Sequence, residues 1–518
     1  MHPRRASLHW LAATAMLWLA ACASPPSGFE QVESFAWPHP EETRMGQFFL
    51  DDPRAEPGLS GVRLLPEPRE AFRFRYALAA LAEETLDLQY YLWKDDTTGE
   101  LLLYRVLQAA DRGVRVRILL DDIYHKGRDT LYATISAHPN VQVRVFNPMG
   151  NRGPGKGLNF AMRRSQLNHR MHNKIFLVDN AAAILGGRNI GDDYFAIDPS
   201  LNFRDLDALA VGPVAQEAGK AFDMYWNAPI SVPVEALLDS RPDVAQLDVL
   251  RTRIEASLNE RLAGVPYDVP QDPERVRAVA EQVRDELTWA PAEVVVDPLD
   301  RFGGDTDSAF VELGRELQDQ VSEDVVMQTA YLIPSQETFD FFESVVGRGA
   351  RVRVMTNSLA SNNHVAVHAH YRKHREPLLK AGVELYELRA DAALLEHYKE
   401  VDSQLADSHA GLHAKAAVFD RRISVIGSYN MDPRSRIWNS EIALMVDSEE
   451  FAATVLADME REFEPGNAYR VILDERGRIR WVLEEDGERV VFDKEPQASW
   501  GRRTLARILS WIPIENEL

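Results

Sequence analysis

The sequence predicts an α/β fold in which one unit of alternating strands and helices occurs twice. Three observations lead there. Two β-rich runs, Leu86 to Trp93 and Val325 to Leu332, each precede a helical stretch, Leu101 to Ala110 and Thr338 to Val346. Each helix then passes through a glycine into a second strand, Arg112-Gly-Val-Arg-Val-Arg-Ile-Leu-Leu120 and Arg348-Gly-Ala-Arg-Val-Arg-Val-Met355. A third strand follows each, Asn140 to Phe146 and Gly382 to Leu388. Strands alternating with helices imply mostly parallel mixed sheets flanked by helices.

The elements follow in chain order. Arg4 and Arg5 precede the apolar run Leu8 to Ala21, too short to span a bilayer and suited to a signal peptide over residues 1–21. The run ends in Leu19-Ala-Ala-Cys22, which resembles the lipoprotein box of bacteria and holds the chain's single cysteine. That resemblance implies a lipidated Cys22 and a periplasm-facing, membrane-anchored protein, with the outer membrane favoured because no Asp follows the cysteine. One cysteine excludes an intrachain disulfide and a cysteine-based zinc cluster. Residues 22–66 read as a Pro- and Gly-rich tether. The repeats occupy about 67–235 and 301–470. Residues 236–300 read as a helical connector, with helices at Arg251 to Leu262 and Glu274 to Leu287. Residues 471–518 read as short strands and a last amphipathic helix, Arg503 to Ile512, whose Leu505, Ile508, Leu509 and Ile512 could rest on a membrane or on the protein itself.

One motif carries the chemistry. His172-Asn-Lys174 is followed by Asp179, Gly186-Gly187 and Asn189. His413-Ala-Lys415 is followed, at identical spacing, by Asp420, Gly427-Ser428 and Asn430. Alternation along a strand puts each His and Lys on one face and each Asp on the other, where it reads as structural. Gly186 and Gly187 allow close backbone approach, and each Asn supplies an amide. Two halves facing each other present two imidazoles, two ammonium groups and two amides. That set complements a phosphodiester. One imidazole can attack phosphorus while the other protonates the leaving alcohol. Two lysines supply the positive charge, so no metal is required.

This doubled motif resembles the signature of the phospholipase D superfamily, and the resemblance covers about residues 67–470. It implies two repeated phospholipase D-like α/β domains sharing one pseudo-two-fold active site. It implies a catalytic set of His172, Lys174, Asp179, His413, Lys415 and Asp420, with His172 favoured as nucleophile. Asn189, Asn430, Ser428 and Gly187 would bind substrate, and no cofactor is called for. Each histidine also needs a carboxylate to fix its tautomer; Asp205 and Glu441, at matching strand ends, are the candidates. Gly187 stands where the second repeat has Ser428, so the halves differ, and a roomier site beside His172 is expected on that ground.

Leu88-Gln-Tyr-Tyr-Leu-Trp93, Asn168 to Lys174, Phe203-Arg-Asp-Leu-Asp207 and Leu509 to Glu515 look like the bacterial cardiolipin synthases of the C type. Phosphatidyl transfer between phospholipids is the activity this implies. Hydrolysis to phosphatidic acid uses the same residues and stays open. A net charge of -22 argues against nucleic acid as a partner. The basic stretch Asn151 to Gly157, with Arg163, Arg164 and Arg170, is read either as a guide for an anionic head group or as a surface loop.

Overall fold

A computed structural model of the chain describes residues 29–518 apart from 126, 150–167, 304–305, 402–404 and 486. The signal segment, Cys22 and residues 151–157, 163 and 164 of the basic stretch lie outside the described residues.

The first sheet contains β1 (Ser60–Leu65), β2 (Thr85–Tyr90), β3 (Arg115–Asp121) and β4 (Val141–Phe146). A two-residue strand, β5 (Arg170–Met171), lies apart and precedes β6 (Ile175–Val178) and β7 (Ala182–Gly186). Another separate strand, β8 (Leu201–Arg204), precedes β9 (Asp207–Val211), β10 (Ser231–Pro233) and β11 (Thr288–Ala290). The order across the sheet is β10-β4-β3-β2-β6-β7-β9-β1-β11. Four helices of this half are α1 (Pro68–Leu81), α2 (Thr97–Asp111), α3 (Pro213–Trp226) and α4 (Val244–Gly264), followed by α5 (Pro273–Asp285).

The second half repeats the plan. Its strands are β12 (Ala292–Val296), β13 (Asp324–Thr329), β14 (Arg351–Asn357) and β15 (Glu384–Leu388), then β16 (His409–Leu412), β17 (Lys415–Phe419) and β18 (Ile423–Gly427). After these come β19 (Asn439–Ser440), β20 (Ile442–Asp447), β21 (Ala468–Leu473), β22 (Ile479–Glu485) and β23 (Glu488–Phe492). The sheet order is β12-β20-β18-β17-β13-β14-β15-β21-β22-β23. Helices α6 (Ala309–Gln318), α7 (Gln336–Gly347) and α8 (Glu449–Phe463) flank it, and α9 (Trp500–Leu509) follows.

The sheets are less parallel than the sequence suggests. Helical crossovers make β2, β3 and β4 parallel, and likewise β13, β14 and β15. The other pairings within the two sheets are antiparallel. The cause is local: the strand after each motif Lys turns back at once, through Asp179 and Asn180 or Asp420 and Arg421, all at positive φ.

Three boundaries also move. The connector is not a spacer: α4 packs on α2 and α5 on α1, and its tail supplies β11 to the first sheet and β12 to the second. Pro291 between them breaks the run, so adjacent strands enter different sheets. The tether is ordered from about Gln31. The Ser34 carbonyl accepts from Arg117 (2.7 Å) and the Ala36 amide donates to Asp223 (2.9 Å), meeting the needs of a buried guanidinium and its partner carboxylate. The C-terminal strands extend the second sheet and form no separate unit.

The two sheets share one central core. Ile175, Leu177, Ala208 and Ala210 pack toward Ala416, Val418, Leu444 and Val446, with α3 and α8 in the same cluster. Two short parallel ladders, β5 with β19 and β8 with β16, stitch the halves together. They fix which side chains of one repeat meet those of the other.

Candidate active site

The motif residues sit where those ladders end. The His172 amide donates to the Ser440 carbonyl (2.9 Å), and the His413 amide to the Arg204 carbonyl (2.7 Å). Each histidine is therefore held by the opposite repeat, next to the residue following the ladder strand there. Those residues are Glu441 and Asp205. The consequence is a crossed arrangement: His172 Nδ1 lies 2.7 Å from Glu441 Oε2, and His413 Nδ1 lies 2.6 Å from Asp205 Oδ2. Both carboxylates are fully buried. Each ring presents Nε2 as its remaining nitrogen, as a nucleophile or acid requires.

Lys174 and Lys415 reach the same center. Each ammonium donates to the carbonyl of its own motif histidine at 2.5 Å. Burial pushes Lys174 down to about 7 and Lys415 to about 8, against the attraction of Glu441 and Asp205. Burial also drives both imidazoles down. His172 falls well below the ordinary histidine value, with Lys174, Lys415 and Arg434 adding to the effect, and His413 falls to about 3, with Lys415 adding. Both shifts disfavour a cationic ring in the absence of substrate.

The two carboxylates differ. Burial raises Glu441, opposed by Lys174 and by hydrogen bonds from Ser428 (2.5 Å), Ser435 (2.7 Å) and Asn439 (3.3 Å). Burial also acts on Asp205, but the attraction and hydrogen bond of His413, with Lys415 and Arg188, outweigh it and hold Asp205 below the usual range. Gly187 explains itself here, since a Cβ would collide with the Asp205 carboxylate. Its partner Ser428 instead donates to Glu441. The expected roominess beside His172 is thus absent: the missing side chain faces the carboxylate of His413, and the Ser428 hydroxyl serves that of His172.

Several other expectations change. Asp179 and Asp420 do not join the histidines. Asp179 accepts the backbone N–H groups of Glu83, Glu84 and Thr85, and Asp420 those of Ser322, Glu323 and Asp324. Each anchors the turn that enters β2 or β13, as alternation along the strand predicts. The Asn189 amide accepts from the Leu92 N–H (3.2 Å) and donates one N–H to the Tyr194 hydroxyl (2.9 Å), so it braces that ring beside His413. Asn430 Oδ1 is buried with no partner among the described residues. Arg170 is buried beside Asp121 and the Asn147 carbonyl, so it is no guide for a head group.

Sequence reasoning missed four contributors. Tyr91 stands edge-on to His172 (4.8 Å between ring centers) and under Lys174, and Tyr194 stands edge-on to His413 (5.1 Å). Ser435 bonds Glu441, and Arg434 lends positive charge near His172. Tyr91 lies in the quoted Gln-Tyr-Tyr run, but no spacing rule links it to a histidine 81 residues later.

The comparisons with known proteins match the two-repeat organisation. The family described as "Cardiolipin synthase, PLD-like domain" matches residues 77–226 and again 316–463, one match per repeat. The chain belongs to the phospholipase D-like family. Among curated relatives, it is 34% identical to cardiolipin synthase C of Escherichia coli over 470 residues, 89% of this chain and 96% of that protein. It is 26% identical to cardiolipin synthase A of Pseudomonas entomophila over 432 residues, 83% of this chain and 73% of that one. The phospholipase D-like fold is also that of phosphatidylserine synthase from Haemophilus influenzae, with a TM-score of 0.57 at 14% identity over 92% of this chain and 99% of that structure.

Proposed function

We propose that this protein transfers a phosphatidyl group through a phosphohistidine, making cardiolipin from phosphatidylglycerol and a second phospholipid. The observation that carries the reading is the pair of crossed His–carboxylate contacts beside two buried lysines. The match to cardiolipin synthase C of Escherichia coli along nearly its whole length supports the lipid substrate.

The chemistry follows from the two environments. Neutral His172 attacks phosphorus through Nε2, and the P–O bond to the leaving alcohol breaks. His413 gives that oxygen its proton from Nε2. A bound phosphodiester anion offsets the lysine charges that disfavour a cationic ring, so His413 can carry this proton once substrate is present. An acceptor hydroxyl then attacks phosphorus, loses its proton to His413 and releases His172. Lys174 and Lys415 balance the charge on the non-bridging oxygens throughout. Asp205, held ionised, suits the partner of the proton-carrying ring. Glu441 spreads its charge over three side-chain donors and leaves His172 less cationic, which suits the nucleophile.

The C-terminal segment supports a membrane approach. Trp500, Leu505, Ile508, Trp511 and Ile512 are exposed around α9, while Ala506 faces inward. From there the chain runs back to the site: the Trp438 indole donates to the Asn516 carbonyl (2.6 Å) and the Arg434 amide to the Leu518 carbonyl (2.7 Å). An apolar face beside the site would seat the protein on the lipid that it uses. A lipidated Cys22 would hold it at the periplasmic side of a membrane, the outer one favoured.

The test is mass spectrometry of lipids after incubation with phosphatidylglycerol, with and without phosphatidylethanolamine. Cardiolipin supports the transferase; phosphatidic acid alone makes the protein a hydrolase. Acid quench and peptide mapping should find phosphate on His172, and a label on His413 would reverse the two roles.

A further inference from the structure

The two repeats differ in how one layer is filled. In the first, only about 30 Å³ is open under α2, and the space between the sheet and helix α1 is filled. Phe176 and Tyr90 occupy it, and buried Arg75 donates to Asp207 (2.8 Å) and Tyr90 (3.2 Å), with Arg188 3.3 Å from Asp207. The motif alignment and the strand register give the equivalent residues in the second repeat. Phe176 becomes Ala417, Tyr90 becomes Thr329, Asp207 becomes Ala443 and Arg188 becomes Tyr429. Two aromatic rings shrink, and the ion cluster is gone. The covering helix shrinks as well. α1 has 14 residues with nine buried, whereas α6 has 10 and buries only Leu317.

What remains is a cavity of about 390 Å³ under α6 and α7, within the range of small-molecule pockets. Phe310 and Leu313 line it from α6, with Met327, Ala417 and Tyr429 opposite. Phe310 and Tyr429 stack at 4.7 Å. Protein interiors are close-packed, and a hollow of this size forfeits contacts that the first repeat makes. Lys415 forms part of the wall. Its ammonium donates to the His413 carbonyl, and its stem lies with Ala417 and Phe419 on the cavity side of β17. The apolar chamber and the phosphodiester site therefore meet at one side chain.

We propose that this chamber takes an acyl chain of a phospholipid bound at the histidines. The inference rests on the phospholipid reading above. A phosphatidyl group carries its acyl esters a few bonds from phosphorus, so a chain leaving Lys415 on the cavity side enters the chamber. The lining favours hydrocarbon over a second head group. Its two acidic members, Glu337 and Asp340, are matched by Arg315 and Lys415, so it offers no excess of positive charge to a second phosphate, while Phe310, Leu313, Met327, Phe341 and Ala417 make most of the wall apolar, and apolar cavities take up apolar guests.

Two measurements on the full-length protein test this. The first uses phosphatidylglycerol with a photoreactive diazirine at one acyl terminus, mapped by peptide mass spectrometry. Labels are expected on α6 and around Met327; labels confined to α9 would overturn the proposal. The second compares dioleoyl with dihexanoyl phosphatidylglycerol in Ala417→Phe, which restores the ring of the first repeat, and in Leu313→Trp, which narrows the chamber from α6. For the long-chain lipid kcat/KM should fall about tenfold or more in each, and for the short one stay within about twofold. Equal values on both lipids, or equal losses on both in variants that melt as the parent does, would refute a chain-selective chamber. A parent protein that turns over neither lipid sinks the phospholipid reading itself. Parental turnover with labels elsewhere sinks only the chamber.

Discussion

Replacing Lys174 with methionine should abolish turnover and stabilise the fold, and the stabilisation should depend on pH. Lys174 is 2% exposed, and burial brings it from 10.5 to about 7. That gap corresponds to about 5 kcal/mol at 1.36 kcal/mol per unit. A lysine depressed in the folded state penalises folding fully below its folded value. The penalty is relieved as pH rises toward 10.5, because the unfolded chain binds the extra proton over that interval. At about pH 6 nearly the whole 5 kcal/mol applies; at about pH 9 about 2 kcal/mol remains. Methionine is close in volume and carries no charge. It also loses the hydrogen bond to the His172 carbonyl, worth about 1.5–3 kcal/mol for a charged donor. The net gain at pH 6 is then about 2–3 kcal/mol, falling by about 3 kcal/mol at pH 9, where the variant is no more stable than the parent. Urea unfolding of both proteins at the two pH values, with turnover measured alongside, checks this. A variant less stable at pH 6, or equally displaced at both, would refute a cation buried there at the expense of stability.

The crossed pairs make a second prediction. Asp205→Asn should let a phosphohistidine accumulate on His172 with an activated nitrophenyl donor, whose leaving group needs no proton. Glu441→Gln should suppress its formation, and overall turnover should fall by up to about 10⁴ in each by analogy with catalytic triads; rapid quench and mass spectrometry read both. Turnover should decline as pH rises past about 7 to 8, because Lys174 and Lys415 then lose their protons and the site its attraction for an anion; kcat/KM against pH should show this limb, and a flat profile to pH 10 would count against it. Chelation with EDTA should leave the rate largely intact, since two ammonium groups supply the charge; a strict divalent-ion requirement would contradict the mechanism. Cys22→Ser should release the protein from the membrane fraction; unchanged fractionation would show that Cys22 is not the anchor.

The sequence made the repeats and the motif legible because their spacing is local and doubled. His172, Lys174, His413 and Lys415 could be named from the chain, and so could both carboxylates. Their crossing could not. It depends on β5 pairing with β19 and β8 with β16, ladders of two and four residues that join distant segments and leave no periodic trace. The strands β11 and β12 were hidden for a similar reason. Thr288 to Ala290 and Ala292 to Val296 are short, separated by one proline, and preceded by two polar helices that read as a spacer. The crossover helices imply parallel neighbours, whereas each motif strand forms a hairpin through a two-residue turn, at Asp179 and Asn180 or at Asp420 and Arg421, that has no strong turn signature in the sequence. Asn189 has the right chemistry for phosphate, but only coordinates reveal that it also ties the Leu92 backbone to the Tyr194 ring.

The crossed pairing has a consequence for the chain's history and handling. Neither repeat owns a working histidine: each holds the ring of one pair and the acid of the other. A severed half would be inert even if it folded, and two severed halves, one inactivated at its ring and the other at its own acid, would disable the same pair twice and leave the second pair whole. Mixed halves can therefore be sorted by which pair each lesion reaches. After such a duplication neither copy is free to decay, because a lesion in either one is felt as silence in the other.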